Sequence, residues 1–389
     1  MDEQDVSITA ISASHGIMHA YLVLLPALAP LLKGDMGNIA TIGLLITLVT
    51  GFYGWISLPV GFLADRYSKK TLITLSMVLC GSASILFGLA PNITVAAVAL
   101  VILGVGASLY HPCGYAHMSL VSDEARGRYM GIQGLTGDLG MAVAYFTSSI
   151  LGNMYGWRNA FIIWGVIGLA MAVIDILVAK DIACEVDPEA LKQSPVVTIR
   201  RMFETADRGT LILTLMIVVL SGMLWQGVSS FIMIYITDVK MVSLVIAGGL
   251  STLKYTVGAF AQITSGELSD KMGRKTLLLF GFGVFAVSLI ALTLAPSNLF
   301  VLAGIVVVLG FSFFSTQSPM NALLGDISRK DSVGVTYGVT FTLKYGISAV
   351  TPAIAGFLAV NYSLNHVFYF FAVLSAIAFA VASQIKEKK

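Results

Sequence analysis

Charge is what this sequence has least of. Asp, Glu, Lys and Arg make up 11% of its 389 residues, against about 25% in an average soluble domain. So few charges cannot cover the surface of a water-soluble protein of this length, and lipid is the expected solvent for most of it. The three cysteines, Cys80, Cys113 and Cys184, stand apart with no C-x-x-C pair. That excludes a disulfide framework or a thiolate metal site read from spacing. Basic and acidic residues nearly balance, 23 against 21, and no dense basic tract offers a nucleic-acid patch. No G-x-x-x-x-G-K-[ST] occurs, so ATP is not the expected energy source. GFGVF at 281–285 does not complete a G-x-G-x-x-G, and no cofactor is expected. No nucleophile motif appears either, which leaves an enzyme a poor reading. The first residues, MDEQDVSITA, lack the basic region of a signal peptide and are expected to be retained.

What is present is apolar: 57% of residues are hydrophobic, and the mean hydropathy is +0.88. A helix needs about 20 apolar residues to cross the hydrocarbon core. Breaking the chain at charged residues and Pro, Gly and Asn predicts twelve spans. They lie at 8–32, 40–64, 71–90, 95–121, 129–152, 158–180, 209–237, 243–268, 276–295, 299–325, 333–359 and 365–385. The longest polar interval, 181–208, divides them six and six. The expected organisation is therefore an all-α membrane protein with a six-helix bundle over 1–180, a cytoplasmic linker, and a second bundle over 209–389. Lys and Arg crowd one side, as at Arg66, Lys69 and Lys70 and again at Lys271, Arg274 and Lys275. By the positive-inside rule both termini are expected in the cytoplasm, in the cytoplasmic membrane of a prokaryote.

The halves repeat. GFLADRYSKKTLIT runs from Gly61 after span 2, and GELSDKMGRKTLLL from Gly266 after span 8, 205 positions later. Two ordinary basic turns would explain the lysines but not the recurring Gly and Asp. An internal repeat explains both, and it is a transporter signature. These loops resemble the signature loop of the major facilitator superfamily. Ser68 stands where that loop usually has glycine, and Gly273 supplies it in the second copy. YGWRNAF at 155–161 is also similar to a phrase of that superfamily. YHPCGYAHMSL (110–120) with RGRYMGIQGLTGDLG (126–140) resembles its fosmidomycin-resistance and organic-anion branches. The resemblance implies two pseudo-symmetric six-helix bundles rocking about a central cavity. Spans 1, 4, 7 and 10 would line that cavity, with 2, 5, 8 and 11 at the seam. It also implies gating roles for Gly61, Asp65, Arg66, Gly266, Asp270 and Arg274, whose charges would latch the cytoplasmic ends in the outward-open state.

Two lysines sit in the middle of apolar spans, both within the word TLKY: Lys254 in span 8 and Lys344 in span 11. A charge at the bilayer centre costs roughly 2.5–3.5 kcal/mol on insertion scales. Reading by threes and fours, Lys344 shares a face with Thr336, Thr340, Ser348 and Thr351, and Lys254 with Ser251, Gly258, Gln262 and Ser265. Polar stripes on apolar helices face a cavity rather than lipid. Asp138 on span 5 is the acidic residue near the same depth. Two readings stay open: Asp138 and Lys254 form an inter-bundle ion pair, or the lysines clamp an anionic ligand. The first leaves Lys344 without a partner. With one ionised aspartate the site carries +1, which suits a monoanion, or a dianion once a proton is taken up. Paired cations on these spans are similar to those of oxalate and monocarboxylate carriers.

His15 and His19 lie four apart on one face of span 1, and His111 precedes Pro112 on span 4. A histidine titrates near pH 6.5, so Asp138, His15 and His19 are candidates for a coupling proton. A metal site there is a weak reading, since no carboxylate or cysteine is spaced to complete a ligand set, and none is expected. For His117 a backbone carbonyl partner is expected, and for His366 a capping role. Trp225, Gln226, Gln317 and His111 are candidate substrate contacts beside the lysines. Gly127, Gly131, Gly134, Gly137 and Gly140 are expected to let span 5 pack closely.

The leading expectation is a secondary transporter for a small carboxylate-like anion, using proton coupling or anion exchange. It is expected to work as a monomer in the bilayer, with no nucleic-acid partner. The alternatives are a proton-linked drug efflux pump of the fosmidomycin-resistance type and a permease-like ligand sensor.

Overall fold

A computed structural model describes residues 3–64, 66–121, 126–181, 208–327 and 339–385. Asp65, Thr336 and nearly all of the 181–208 linker lie outside the described residues. Every element is helical. Span 1 is Glu3–Leu32, span 2 Ile39–Ala64, span 3 Lys69–Gly88 and span 4 Ile93–Val121. Spans 5 and 6 share one helical stretch, Arg126–Val178. At about 1.5 Å per residue its apolar part, Gly131–Val178, is more than twice as long as the ~30 Å hydrocarbon core. It therefore turns back, at Gly156, whose φ of 80° suits a residue without Cβ. Span 7 is Arg208–Asp238, span 8 Leu244–Met272, span 9 Arg274–Leu294 and span 12 Leu364–Ser383.

Two spans are broken, and proline explains both. Pro319 offers no N–H to the carbonyl of Ser315, and span 10 splits into Leu299–Phe314 and Gln317–Ile327. Pro352 stands in the same relation to Ser348. Span 11, described over Val339–Asn361, passes through a π-turn at Leu343–Ile347 and a 3-10 turn at Ser348–Val350, then resumes as α-helix at Thr351–Asn361. Span 4 stays helical through Pro112.

The repeat is visible in three dimensions. Lys70 Nζ donates to the carbonyl of Ile176 at 2.9 Å. Lys275, 205 positions on, donates to Ser383 and Ile385 at 2.6 and 3.0 Å. Each lysine covers the free carbonyls ending the sixth span of its half. At the opposite end Arg158 caps Gly88 and Ala90 at 3.2 and 2.8 Å, and Lys240 caps Thr293 and Ala295 at 3.2 and 2.6 Å. The capped positions again differ by 205, while the capping residues come from different places. The Ser68/Gly273 difference has a physical reading too. Ser68 caps span 3 by accepting from the N–H of Thr71 at 3.1 Å, whereas Gly273 reaches φ 92° and uses no side chain.

The halves meet where span 2 faces span 11, span 5 faces span 8 and span 1 faces span 7. At the end away from the chain termini, which we call the far end, this seam is tight. A Cβ at Gly248 would lie 2.6 Å from Ser149 Cβ, and one at Gly43 would lie 3.1 Å from the carbonyl carbon of Pro352. Gly43 and Gly248 are again 205 apart. Lys33 and Asp238, at equivalent positions of the two halves, form an ion pair across the far end. Toward the terminus end, among the described residues nothing lies within 4 Å of a Cβ built at Gly61, Gly131 or Gly134.

The Lys33–Asp238 pair is partly exposed, so it is worth about 1 kcal/mol or less. Lys33→Asp should shift the population away from the far-end-closed state, and adding Asp238→Lys should restore it. Spin labels at the exposed Leu89 and Met241 measure this distance; an unrestored double variant refutes the pairing.

Candidate functional site

The polar stripe of span 11 points inward. Thr340, Ser348 and Thr351 are buried, while Ile347, Val350 and Phe357 on other faces are exposed. Lys344 sits in the π-turn, and its Nζ donates to Gln317 Oε1 at 2.8 Å. Gln317 heads the second piece of span 10, so the break before Pro319 places this amide at a helix start beside span 11. Its Nε2 donates to Ser221 Oγ at 3.2 Å and Thr316 Oγ1 at 3.0 Å. Gln226 braces the π-turn from span 7: its Nε2 donates to the carbonyls of Lys344 and Tyr345 at 3.4 and 3.0 Å. A helix whose i→i+4 ladder is interrupted needs such a donor. The side-chain oxygen of Gln226 has no partner.

Lys254 is buried, and its ammonium lies 4.3 Å from the centroid of the Tyr255 ring. Lys344 stands in the same relation to Tyr345, at 5.7 Å. The repeated TLKY therefore has a local meaning: each tyrosine offers its ring to the lysine before it. A desolvated cation–π contact of this kind is worth about 2 kcal/mol. It offsets part of the cost of the buried charge without neutralising it.

The Asp138–Lys254 pair read as one option in the sequence does not form. Neither Lys254 nor Lys344 makes an ion pair among the described residues. The lysine within electrostatic range of half-buried Asp138 is Lys344. Lys344 is also not without a neighbour, since Gln317 holds it. The same charge range takes in Tyr115, Tyr255 and Tyr345 around Asp138.

An aromatic cluster joins Lys344 to the histidines across the seam, while the Tyr255 ring beside Lys254 packs on Tyr145 and Phe314. Tyr345 packs on Tyr53 at 5.1 Å, Phe341 at 4.7 Å and Trp225 at 5.6 Å between ring centroids. Phe341 and Tyr115 in turn lie 4.7 and 5.6 Å from His111. Sequence reasoning missed Tyr53, Tyr115, Phe341 and Tyr345. The available signal was the tyrosine inside each TLKY.

The histidines converge. His111 Nε2 lies 3.2 Å from His19 Nε2 and 3.5 Å from His15 Nε2. His15 Nδ1 donates to the carbonyl of Gln133 at 2.6 Å, and His111 Nδ1 contacts Tyr53 Oη at 3.2 Å. Gly137 makes room, because a Cβ there would stand 2.8 Å from His15 Cε1. Gly140 does the same against Gly16. Of the span 5 glycines expected to pack closely, these two do, Gly131 and Gly134 have no described atom within 4 Å of a built Cβ, and the surroundings of Gly127 lie outside what is described. His117 has no partner at Nδ1 among the described residues. His366 caps span 12 together with Ser363, at 2.8 Å.

Of the loop residues, Arg274 pairs with Asp270 and reaches Asp326 on span 10 at 3.5 Å. This ties spans 8, 9 and 10 together within one half. Arg66 is exposed, and Gly266 has only Ser318 nearby, at 3.6 Å. An apolar groove of about 440 Å³ between Phe146, Leu250 and Phe300 contains none of the polar groups described above.

A family model described as the Major Facilitator Superfamily matches residues 11–351. An uncharacterised transporter of that type from Methanocaldococcus jannaschii is 23% identical over 82% of this chain and 82% of its own length. The fosmidomycin resistance protein of Escherichia coli is 23% identical over 94% of this chain and 89% of its own. Among solved structures, a bacterial homolog of the human lysosomal transporter Spinster, inward-facing and unoccupied, superimposes with a TM-score of 0.83. It covers 98% of this chain and 96% of that one at 15% identity, a likeness of fold.

Proposed function

This chain belongs to the major facilitator superfamily, and from that premise we propose that it is a secondary transporter moving a small carboxylate-like anion by alternating access. The observation that carries this reading is the presence of two mid-span ammonium groups, Lys254 beside the Tyr255 ring and Lys344 beside the Tyr345 ring and Gln317. They have aromatic rings and one amide around them but no carboxylate in bonding distance among the described residues. Buried cations in that setting lack only an anion. Trp225, Gln317 and His111 stand on the Lys344 side, through Tyr345 and Phe341, and Gln226 fixes the backbone that carries Lys344.

Coupling is assigned to Asp138, with His15 and His19 as further acceptors, or to exchange of one anion for another. The bundles over 1–180 and 209–389 are the rocking bodies, and with both termini in the cytoplasm the arrangement described is open inward. In the opposite state the glycine-bearing loops meet, with Asp65, Arg66, Asp270 and Arg274 as the latch. Similarity along most of the chain to a fosmidomycin resistance protein favours a second reading, efflux of an anionic drug.

A thermal-shift panel of monocarboxylates, dicarboxylates, phosphonates and cationic drugs separates the two. A ligand at 100 times its Kd stabilises the protein by about 2.7 kcal/mol. Stabilisation by carboxylates supports the first reading, by phosphonates alone the second, and by cationic drugs alone neither.

The glycines give a directional test of the rocking motion. Gly61→Leu adds a side chain where no described atom lies within 4 Å, so stability and binding should be unchanged while closure of the terminus end is blocked. Gly248→Leu forces a side chain into Ser149 and Tyr145 and should open the far end. Labels at Tyr67 and Met272, both exposed, should remain far apart in the first variant under all ligand conditions. Normal turnover by Gly61→Leu contradicts the assigned motion.

A further inference from the structure

We propose that His15, His19 and His111 form a site for a divalent cation of the zinc class, bound through three imidazole nitrogens with a fourth coordination position open. The spacing fits such an ion. Zinc–nitrogen bonds of about 2.0–2.1 Å in a tetrahedral shell place neighbouring nitrogens about 3.3 Å apart. The His111 Nε2 atom stands 3.2 and 3.5 Å from its two counterparts, and the three donor atoms all lie within 4.8 Å of one another. The nitrogens come from two elements packed side by side, one turn of span 1 and the residue before Pro112 on span 4.

The outer bonds fit as well. A carbonyl can only accept, so Nδ1 of His15 carries the proton that goes to Gln133, and the neutral ring turns a lone pair inward at Nε2. His111 has Tyr53 at its Nδ1, and the tautomer in which Nδ1 donates to that hydroxyl turns the Nε2 lone pair inward. Ligating histidines are held in this way, the outer N–H donating to a carbonyl or another oxygen. Among the described residues His19 has no partner at Nδ1, and its ring is oriented by the other two imidazoles. Three nitrogen donors without a carboxylate select zinc, nickel, cobalt or copper over magnesium or calcium, which require oxygen ligands.

Lys344 is within electrostatic range of His19 and His111. A bound cation would therefore sit near a like charge, and a carboxylate held by Lys344 would be placed to reach the open position. The cation site rests on the histidines alone and does not require the anion reading. Occupancy would take the histidine lone pairs out of proton traffic and leave Asp138 as the carrier.

The test uses full-length, detergent-purified protein without an affinity histidine tag, stripped by a chelator and titrated with Co²⁺ and Zn²⁺. One ion per chain should bind, and cobalt should give the visible absorption of a four-coordinate site. X-ray absorption of the zinc-loaded parent should show a nitrogen shell at about 2.0 Å. His19→Gln should weaken binding at least tenfold, while His117→Gln should leave it unchanged. Lys344→Gln should tighten it several-fold by removing the like charge, the opposite of its expected effect on anions. No saturable uptake at one ion per chain, a shell of oxygen or sulfur, or parent-like binding in His19→Gln with His111→Gln overturns the proposal. Because none of these readouts involves transport or an anion, failure here leaves the anion reading standing, and the reverse holds.

Discussion

Lys344→Gln should abolish anion binding while the protein still folds. Glutamine keeps a hydrogen-bonding head on a side chain one atom shorter but removes the charge. Losing one partner of a desolvated charge pair costs about 2–5 kcal/mol, at least about 30-fold in Kd. The fold should survive for two reasons. Gln317 keeps its bonds to Ser221 and Thr316, and the π-turn is held by Gln226 through backbone carbonyls. Removing a buried charge that lacks an ionic partner also relieves desolvation, so the melting temperature without ligand should hold or rise. Calorimetry with the most stabilising anion of the panel gives the result. Binding within threefold of the parent would remove Lys344 from the clamp.

Asp138→Asn should uncouple transport. One proton moved with each substrate across a gradient of one pH unit supports a tenfold concentration ratio, about 1.4 kcal/mol. Asparagine holds its place in the helix but carries no proton. Gradient-driven accumulation in vesicles should therefore fall to equilibration, while exchange of labelled for unlabelled anion continues. The site charge rises from +1 to +2, which should favour dianions over monoanions. Because Asp138 lies near Lys344 rather than Lys254, Asp138→Asn should not rescue Lys254→Met in stability or transport. Full pH-driven accumulation by Asp138→Asn would move the coupling elsewhere, and a rescued double variant would restore the pair that the structure does not contain.

The spans, their number and the mid-span position of the two lysines were legible without coordinates, because each is a property of one segment against one solvent. Apolar length against bilayer thickness marks a span, and the cost of a mid-span charge marks Lys254 and Lys344. The offset of 205 was legible for the same kind of reason, since two loops repeat their letters. It then organised more of the molecule than those loops, as Lys70 and Lys275 show. The inward face of span 11 followed from its period of threes and fours.

Which residue meets which did not follow. Helical period fixes a face, but the tilt, rotation and axial stagger between two spans come from packing along their whole lengths. A few ångströms of stagger decide whether Asp138 stands by Lys254 or by Lys344. The π-turn in span 11 and the break in span 10 shift register locally, and so bring Gln317 to Lys344. The three histidines were visible singly, yet their meeting depends on Gly137 and Gly140 letting spans 1 and 5 close up beside span 4. Nor does a sequence choose between far-end-open and far-end-closed arrangements, because the same residues must pack in both. That choice was made by tertiary contacts, at Gly43, Gly248 and the Lys33–Asp238 pair.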